Sequence, residues 1–223
     1  MITTISFFKY SSNKFWAFTQ MSEAHKYFNN NDNVKFYKLL GTGAGNGFLV
    51  PDLSTYALLV VWNSKKNAED FLQESDHSAS IRKKAKSRKD FYLKPIQTNG
   101  LWDNQNPFKE GIVKHNMNDK IAIITRGKIR LRKQIDFWLN VPKASKAIKN
   151  AKGVEFYKGI GELPFLAQAT FSIWKNFEAV KSFAYDSKAH SEIIKKTRKR
   201  NWYSEDMFTR FIITNVTEKI FNE

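Results

Sequence analysis

Four histidines, no cysteine and a handful of arginines at strand ends are the groups from which redox or transfer chemistry could be built in this 223-residue chain. Without thiols, disulfides, iron–sulfur clusters, cysteine-held zinc and thiolate-ligated haem are excluded. The histidines are His25, His77, His115 and His190. No two of them have the His-x-x-x-His spacing that puts both rings on one helix face, so a zinc centre is not expected. His190 stands seven residues after Phe183 and four before Ile194, the positions of an inward helical stripe. An imidazole there is either a satisfied core residue or, in a cavity, a cofactor ligand. His77, beside Asp76, falls about one residue off the matching stripe of its own helix.

Two other patterns invite a function. Gly41-Thr42-Gly43-Ala44-Gly45-Asn46-Gly47 looks like a phosphate loop, but it lacks Gly-Lys-Ser/Thr and leads through Pro51 into a strand, not a helix. It reads as a connection between strands, at the mouth of a cavity. The basic runs Arg82 to Lys89 and Lys195 to Arg200 fall at two helix ends, where the dipole favours cations. As a pair they would also form two positive patches open to nucleic acid or an anionic membrane. No RNP1-like string is present, so nucleic acid is the alternative reading and not the leading one.

The elements that must position these groups are written twice. Val34-Lys35-Phe36-Tyr37-Lys38, Gly41-Thr42-Gly43 and a run ending in Trp62 recur as Val154-Glu155-Phe156-Tyr157-Lys158, Gly159-Ile160-Gly161 and a run ending in Trp174. Phe71 and Phe183 each follow nine residues later. Such a repeat fixes the architecture. The periodicities predict strand Thr4–Phe8, helix Ser12–Phe28, strands Val34–Lys38 and Tyr56–Trp62, a helix from Asn63-Ser64 to Arg88, and strand Phe91–Ile96. The second set is strand Lys120–Arg126, helix Ile135–Asn150, strands Val154–Lys158 and Leu166–Trp174, helix Phe177–Arg200, and strand Met207–Thr214. Each set has the order βαββαβ. The expected class is therefore α+β: tandem ferredoxin-like repeats over 1–99 and 119–223, packed as an intrachain, pseudo-dimeric α+β barrel. Residues 100–118 form a linker that Trp102 and Phe108 should pin to the body.

Composition limits the partners. The net charge of +16 calls for an anionic partner or merely keeps a lysine-rich chain soluble. The longest apolar run, Tyr56 to Trp62, is far short of the ~20 residues that span a bilayer. The N-terminus has no signal-peptide pattern, so a cytoplasmic protein is expected, touching the inner face of the cell membrane at most peripherally.

In the second half, Ile124-Thr125-Arg126-Gly127-Lys128-Ile129, Phe137-Trp138, Gly159 to Pro164, Gln168 to Trp174, Phe183-Ala184, His190 and Trp202 to Phe211 form a recognisable series. Phe15-Trp16-Ala17, Lys38 to Gly43, Gly47-Phe48 and Gly100-Leu101-Trp102 with Pro107-Phe108 extend it into the first half. In order and spacing the chain resembles the spheroidene monooxygenase (carotenoid 2-ketolase) family over nearly its whole length. That resemblance implies a haem b enzyme that uses oxygen to hydroxylate or ketolate an apolar polyene, with reduced ferredoxin or another electron donor. It further implies iron ligation by His190 and a haem site against the second half. Arg126 would pair with a haem propionate or polarise bound oxygen, or else stand in a structural ion pair with Glu162 or Glu205; Arg210 is a second candidate for the propionate. Thr125-Arg126-Gly127-Lys128 departs from the expected Thr-Arg-Ala-Thr, which leaves the substrate open. Self-association as a homo-oligomer is compatible with this reading. So is a non-enzymatic carrier of an apolar ligand, as an alternative to catalysis.

Overall fold

The computed structural model describes residues 1–223 except 46–49, 164–165, 187–191, 193–194, 198 and 222–223, and the side chains of 143–147, 163 and 185–186. Eight antiparallel strands close into one barrel: β1 (Ile2–Lys9), β2 (Val34–Gly43), β3 (Pro51–Trp62), β4 (Ser87–Gly100), β5 (Ile121–Ile129), β6 (Val154–Leu163), β7 (Ala167–Trp174) and β8 (Tyr203–Ile220), in the spatial order β1-β3-β2-β6-β7-β5-β8-β4. Closure leaves no free sheet edge among these strands. Two seams join the halves. The β2–β6 seam is short, Gly41↔Gly161 and Thr42↔Ile160, while the β4–β8 ladder runs from Ser87↔Ile220 to Gly100↔Met207. Each seam pairs strands that hold the same place in the chain order of their own half.

Alternation along the strands sends one set of side chains into the barrel and the other outwards. The interior is packed. Phe7, Phe91, Phe156 and Phe171 meet at its centre with ring centroids 5.5 to 6.3 Å apart, surrounded by Ile5, Leu59, Ala122, Ile124, Ala169 and Phe211. One end is plugged by the connecting segment, whose Trp102 and Phe108 have no exposed surface. Gly100, Asp103 and Asn104 take positive φ to make that turn, and Glu205 accepts from the backbone N–H groups of Asp103 and Asn104 at 3.1 and 2.7 Å. A large ligand must therefore lie outside the barrel, between sheet and helices.

The helices are α1 (Lys14–Glu23), α2 (Lys65–Glu74), α3 (Asp76–Lys84), α4 (Gln134–Lys149) and α5 (Phe177–Asp186). Two expectations change here. The predicted helix Ser12–Phe28 is α1 followed by a 3-10 turn at Ala24–Tyr27. The predicted helix to Arg88 breaks at Ser75, whose extended backbone ends α2 while its hydroxyl accepts from Ser78 N at 3.1 Å to start α3. It then stops at Lys84, and Arg88 belongs to β4, with only 2% of its surface exposed. The basic run is thus not one solvated patch.

Candidate active site

The strand ladders place the two halves in register, so the outward faces of their sheets can be compared row by row. In the first half the rows across β2, β3, β1 and β4 read Tyr37–Val60–Thr4–Tyr92, Leu39–Leu58–Ser6–Asp90 and Gly41–Tyr56–Phe8–Arg88. Across β6, β7, β5 and β8 the matching rows read Tyr157–Ser172–Ile123–Arg210, Gly159–Thr170–Thr125–Phe208 and Gly161–Gln168–Gly127–Asp206. Leu39, Leu58, Val60 and Phe8 are therefore replaced by Gly159, Thr170, Ser172 and Gly127.

The first face is covered by its helices, which leave a small cavity among Phe8, Leu39, Leu58, His77 and Ile81. Its helices lay Ala17, Ala24, Phe28, Ala68, Leu72 and Ile81 onto Phe8, Leu58, Val60 and Trp62. His77 is buried among Phe8, Tyr27, Phe28 and Phe71, with ring centroids 5.3 to 6.2 Å away. Burial, with a smaller push from Arg88, lowers its pKa from 6.5 to about 4, so the ring is neutral in the folded protein. Arg88 anchors α2 and α3 to the sheet. It pairs with Asp90 at 2.9 Å and donates to Leu72 O at 2.7 Å and Ser78 Oγ at 2.8 Å. At the matching positions of the second half stand Asp206 and Phe208.

The second face is open by contrast. Among the described residues its buried apolar cluster is Ile121, Ile123, Trp174 and Val180, and Thr125 in mid-strand is exposed. Two aromatic walls flank this recess. On one side Phe137 meets Trp138, Trp202 and Tyr203 at 5.3 to 5.8 Å; the Tyr203 ring covers Gly127, where a Cβ would come within 2.5 Å of it. Burial pushes the Tyr203 hydroxyl up to about 12, so it stays a neutral donor. On the other side Phe183 packs on Trp174 at 4.9 Å, and the Arg210 guanidinium lies between Phe177 and Phe208 at 5.2 and 5.1 Å. Arg210 Nη1 also donates to Gln97 Oε1 at 2.8 Å.

The nominated residues do not all converge. Arg210 lies on the recess face. His190 lies outside the described residues. Arg126 alternates to the barrel side of β5, at the plugged end, where it is 2% exposed. There it is ion-paired to Glu205, to Glu162 at 3.3 Å and to Asp103 at 3.7 Å, and stacks on Trp102 at 5.3 Å. Lys38 reaches into the same cluster from the first half, pairing with Asp103 and, at 2.7 Å, with Glu162. Burial opposes its charge, but the bonds from Asp103 and Glu162 outweigh that and raise its pKa. Arg126 Nε is the one polar atom of that side chain without a partner. Gly159, Thr125, Thr170 and Ser172 were not singled out in the sequence. Aligning the two tryptophan-ended runs residue by residue would have exposed Leu58→Thr170 and Val60→Ser172.

Comparison with known proteins bears on what such a face does. The chain is 31% identical over 220 residues to the spheroidene monooxygenase of Cereibacter sphaeroides, covering 97% of this chain and 68% of that one. It is 29% identical over 214 residues to the enzyme of that name from Rhodobacter capsulatus, covering 94% and 89%. The chain belongs to the spheroidene monooxygenase family. Like those relatives, it is an oxygen-dependent monooxygenase. The Rubrivivax gelatinosus member is 32% identical over 180 residues, 80% of this chain and 68% of that one. No protein-family model matches the chain. Among solved structures, an aldoxime dehydratase (OxdRE) in complex with butyraldoxime superposes with a TM-score of 0.63 at 10% identity, covering all of this chain and 82% of that one. At that identity the likeness concerns the fold.

Proposed function

We infer that this family member oxidises the end group of a carotenoid or a similar apolar polyene, using a haem b held between the second half's outward sheet face and its helices. The observation that carries this is the register comparison: the middle row of one face is packed with Leu39 and Leu58, while the same places on the other hold Gly159 and Thr170 beside the exposed Thr125; Gly127 is covered by the Tyr203 ring and Ser172 accepts from Trp174 Nε1 at 3.0 Å. A flat, mostly apolar prosthetic group fits a recess of small residues between aromatic walls, and Arg210 offers a cation for its anionic edge. His190 is the proposed iron ligand: the chain has no thiol, and His77, which follows Phe71 much as His190 follows Phe183, is enclosed in aromatic rings. When bound, haem supplies the oxygen chemistry, drawing electrons from reduced ferredoxin or another donor. The chain's own residues orient the polyene, exclude water from the recess and keep Tyr203 protonated beside it. Arg126 is better placed to fix the barrel end beneath the recess than to touch a cofactor.

The same reading takes each half as a ferredoxin-like unit. Its support is the identical pairing order within the halves, β4-β1-β3-β2 and β8-β5-β7-β6. The test of function is anaerobic loading with haem, then addition of oxygen, an electron donor and detergent-dispersed spheroidene or another acyclic carotenoid. An oxygenated product is expected. A haem-free protein that still oxygenates the polyene would overturn the cofactor, and a haem protein inert toward every acyclic carotenoid would overturn the substrate class.

A further inference from the structure

Beside the recess, the turn Leu131–Lys133 and α4 carry an apolar stripe that nothing among the described residues covers. Leu131, Ile135 and Leu139 stand four residues apart and are 75%, 81% and 74% exposed. That spacing puts them on one side of the turn Leu131–Lys133 and of α4. Single exposed apolar residues are ordinary; three large ones in a row mark a contact surface. Around them Lys128, Arg130, Arg132 and Lys133 are all exposed. The nearby acid, Asp136, is engaged by Arg200 and by Trp202 Nε1 at 2.7 Å, and those two partners hold it in its charged form. The stripe is thus an apolar ridge in a positive surround. Its other side, through Phe137 and Trp138, continues into the aromatic wall of the recess.

We propose that Leu131, Ile135 and Leu139, with Arg130, Arg132 and Lys133, dock this protein on an anionic lipid bilayer and set the recess over the membrane that holds its apolar substrate. The occupant follows from charge complementarity: aliphatic side chains suit the acyl boundary, and the cations suit anionic headgroups. None of the helices among the described residues is long and apolar enough to cross a membrane, so this contact lies on the surface. The choice of end rests on the reading of the second half as the catalytic one, because α1 carries a rival pair, Phe15 and Phe18, 82% and 59% exposed. From β1 to β5 the sheet passes through an odd number of antiparallel pairings, so α1 and α4 leave the barrel at opposite ends. A flat bilayer meets one or the other.

Co-sedimentation of the whole protein with phosphatidylcholine vesicles, with and without phosphatidylglycerol, decides between them. Binding is expected only when phosphatidylglycerol is present, and it should weaken with salt. Arg130→Gln/Arg132→Gln/Lys133→Gln should bind roughly a hundredfold more weakly, about fivefold per charge. Leu131→Ser/Ile135→Ser/Leu139→Ser should lose vesicle binding while keeping its Tm and its turnover of detergent-dispersed polyene. Phe15→Ser/Phe18→Ser should bind as the unaltered chain does. Unchanged binding by the stripe variant, binding indifferent to phosphatidylglycerol, or loss confined to the Phe15/Phe18 variant overturns the proposal. So does a sedimentation-velocity result in which the stripe holds two copies of the chain together. Vesicle binding without polyene oxidation would leave the docking surface standing and remove the function; the reverse outcome would do the opposite.

Discussion

The two outward sheet faces share a strand order and a register, yet one is a core and the other a recess. On the first, Leu58, Val60, Phe8 and Tyr92 meet helices that are also fastened by the buried Arg88–Asp90 pair. On the second, Thr170, Ser172, Gly127 and Arg210 occupy the same places. The exchange runs both ways, since Thr4, Ser6 and Asp90 give way to the larger Ile123, Thr125 and Phe208, but the loss of Leu39 and Leu58 to Gly159 and Thr170 does not serve stability, at roughly 0.8 kcal/mol of burial per missing methylene. It makes room. The comparison thus separates what the fold needs from what the chemistry needs within a single chain.

The largest expected effect comes from erasing the difference. Thr170→Leu puts back one of the missing first-face side chains, while Ser172 is left in place because its hydroxyl accepts from Trp174 Nε1 at 3.0 Å; the variant should leave Tm intact or raised while lowering haem retention and turnover by on the order of a hundredfold or more. A filled face with full activity would break the comparison. Next is the buried cluster beneath the recess. Arg126→Ala strands Glu205 and Glu162 and should destabilise the protein by about 3–5 kcal/mol in urea unfolding. If stability holds and the haem spectrum shifts instead, Arg126 touches the cofactor after all.

The first face should show itself through pH. His77 has a folded pKa of about 4 against 6.5, so its stabilising neutral state is fully favoured above 6.5 and is lost as pH falls towards 4. That difference corresponds to about 3 kcal/mol of stability, and His77→Phe should remove that part of the acid dependence. A flat profile in the unaltered protein between those pH values would contradict the aromatic enclosure. The smallest effect is expected at α1, where Phe15→Ser should change stability by no more than about 0.5 kcal/mol.

Much of the fold was legible because its signals are local. The tryptophan-ended runs and the repeated Val-x-Phe-Tyr-Lys segments read correctly as strands. Lost were features set by single polar side chains or by pairing. Ser75 ends one helix and starts another with its own hydroxyl, and that break resets the helical phase. This is why His77 looked a residue off its stripe yet lies deep in the core. Arg88 read as part of a basic helix end because nothing in its neighbourhood of the chain reveals Ser78 and Leu72 as its partners. The recess was hidden for the same reason: Thr125, Thr170 and Gly159 become neighbours only through strand register. Arg126 was legible in both its readings, and the structure places it with Glu162 and Glu205.

The most direct test is the absorption spectrum of the protein purified after expression with haem supplementation, alongside His190→Ala and His77→Ala. A Soret band is expected in the unaltered protein, lost or displaced in His190→Ala and unchanged in folded His77→Ala. A colourless protein, or a band that depends on His77 and not on His190, would contradict the assignment of chemistry to the second face.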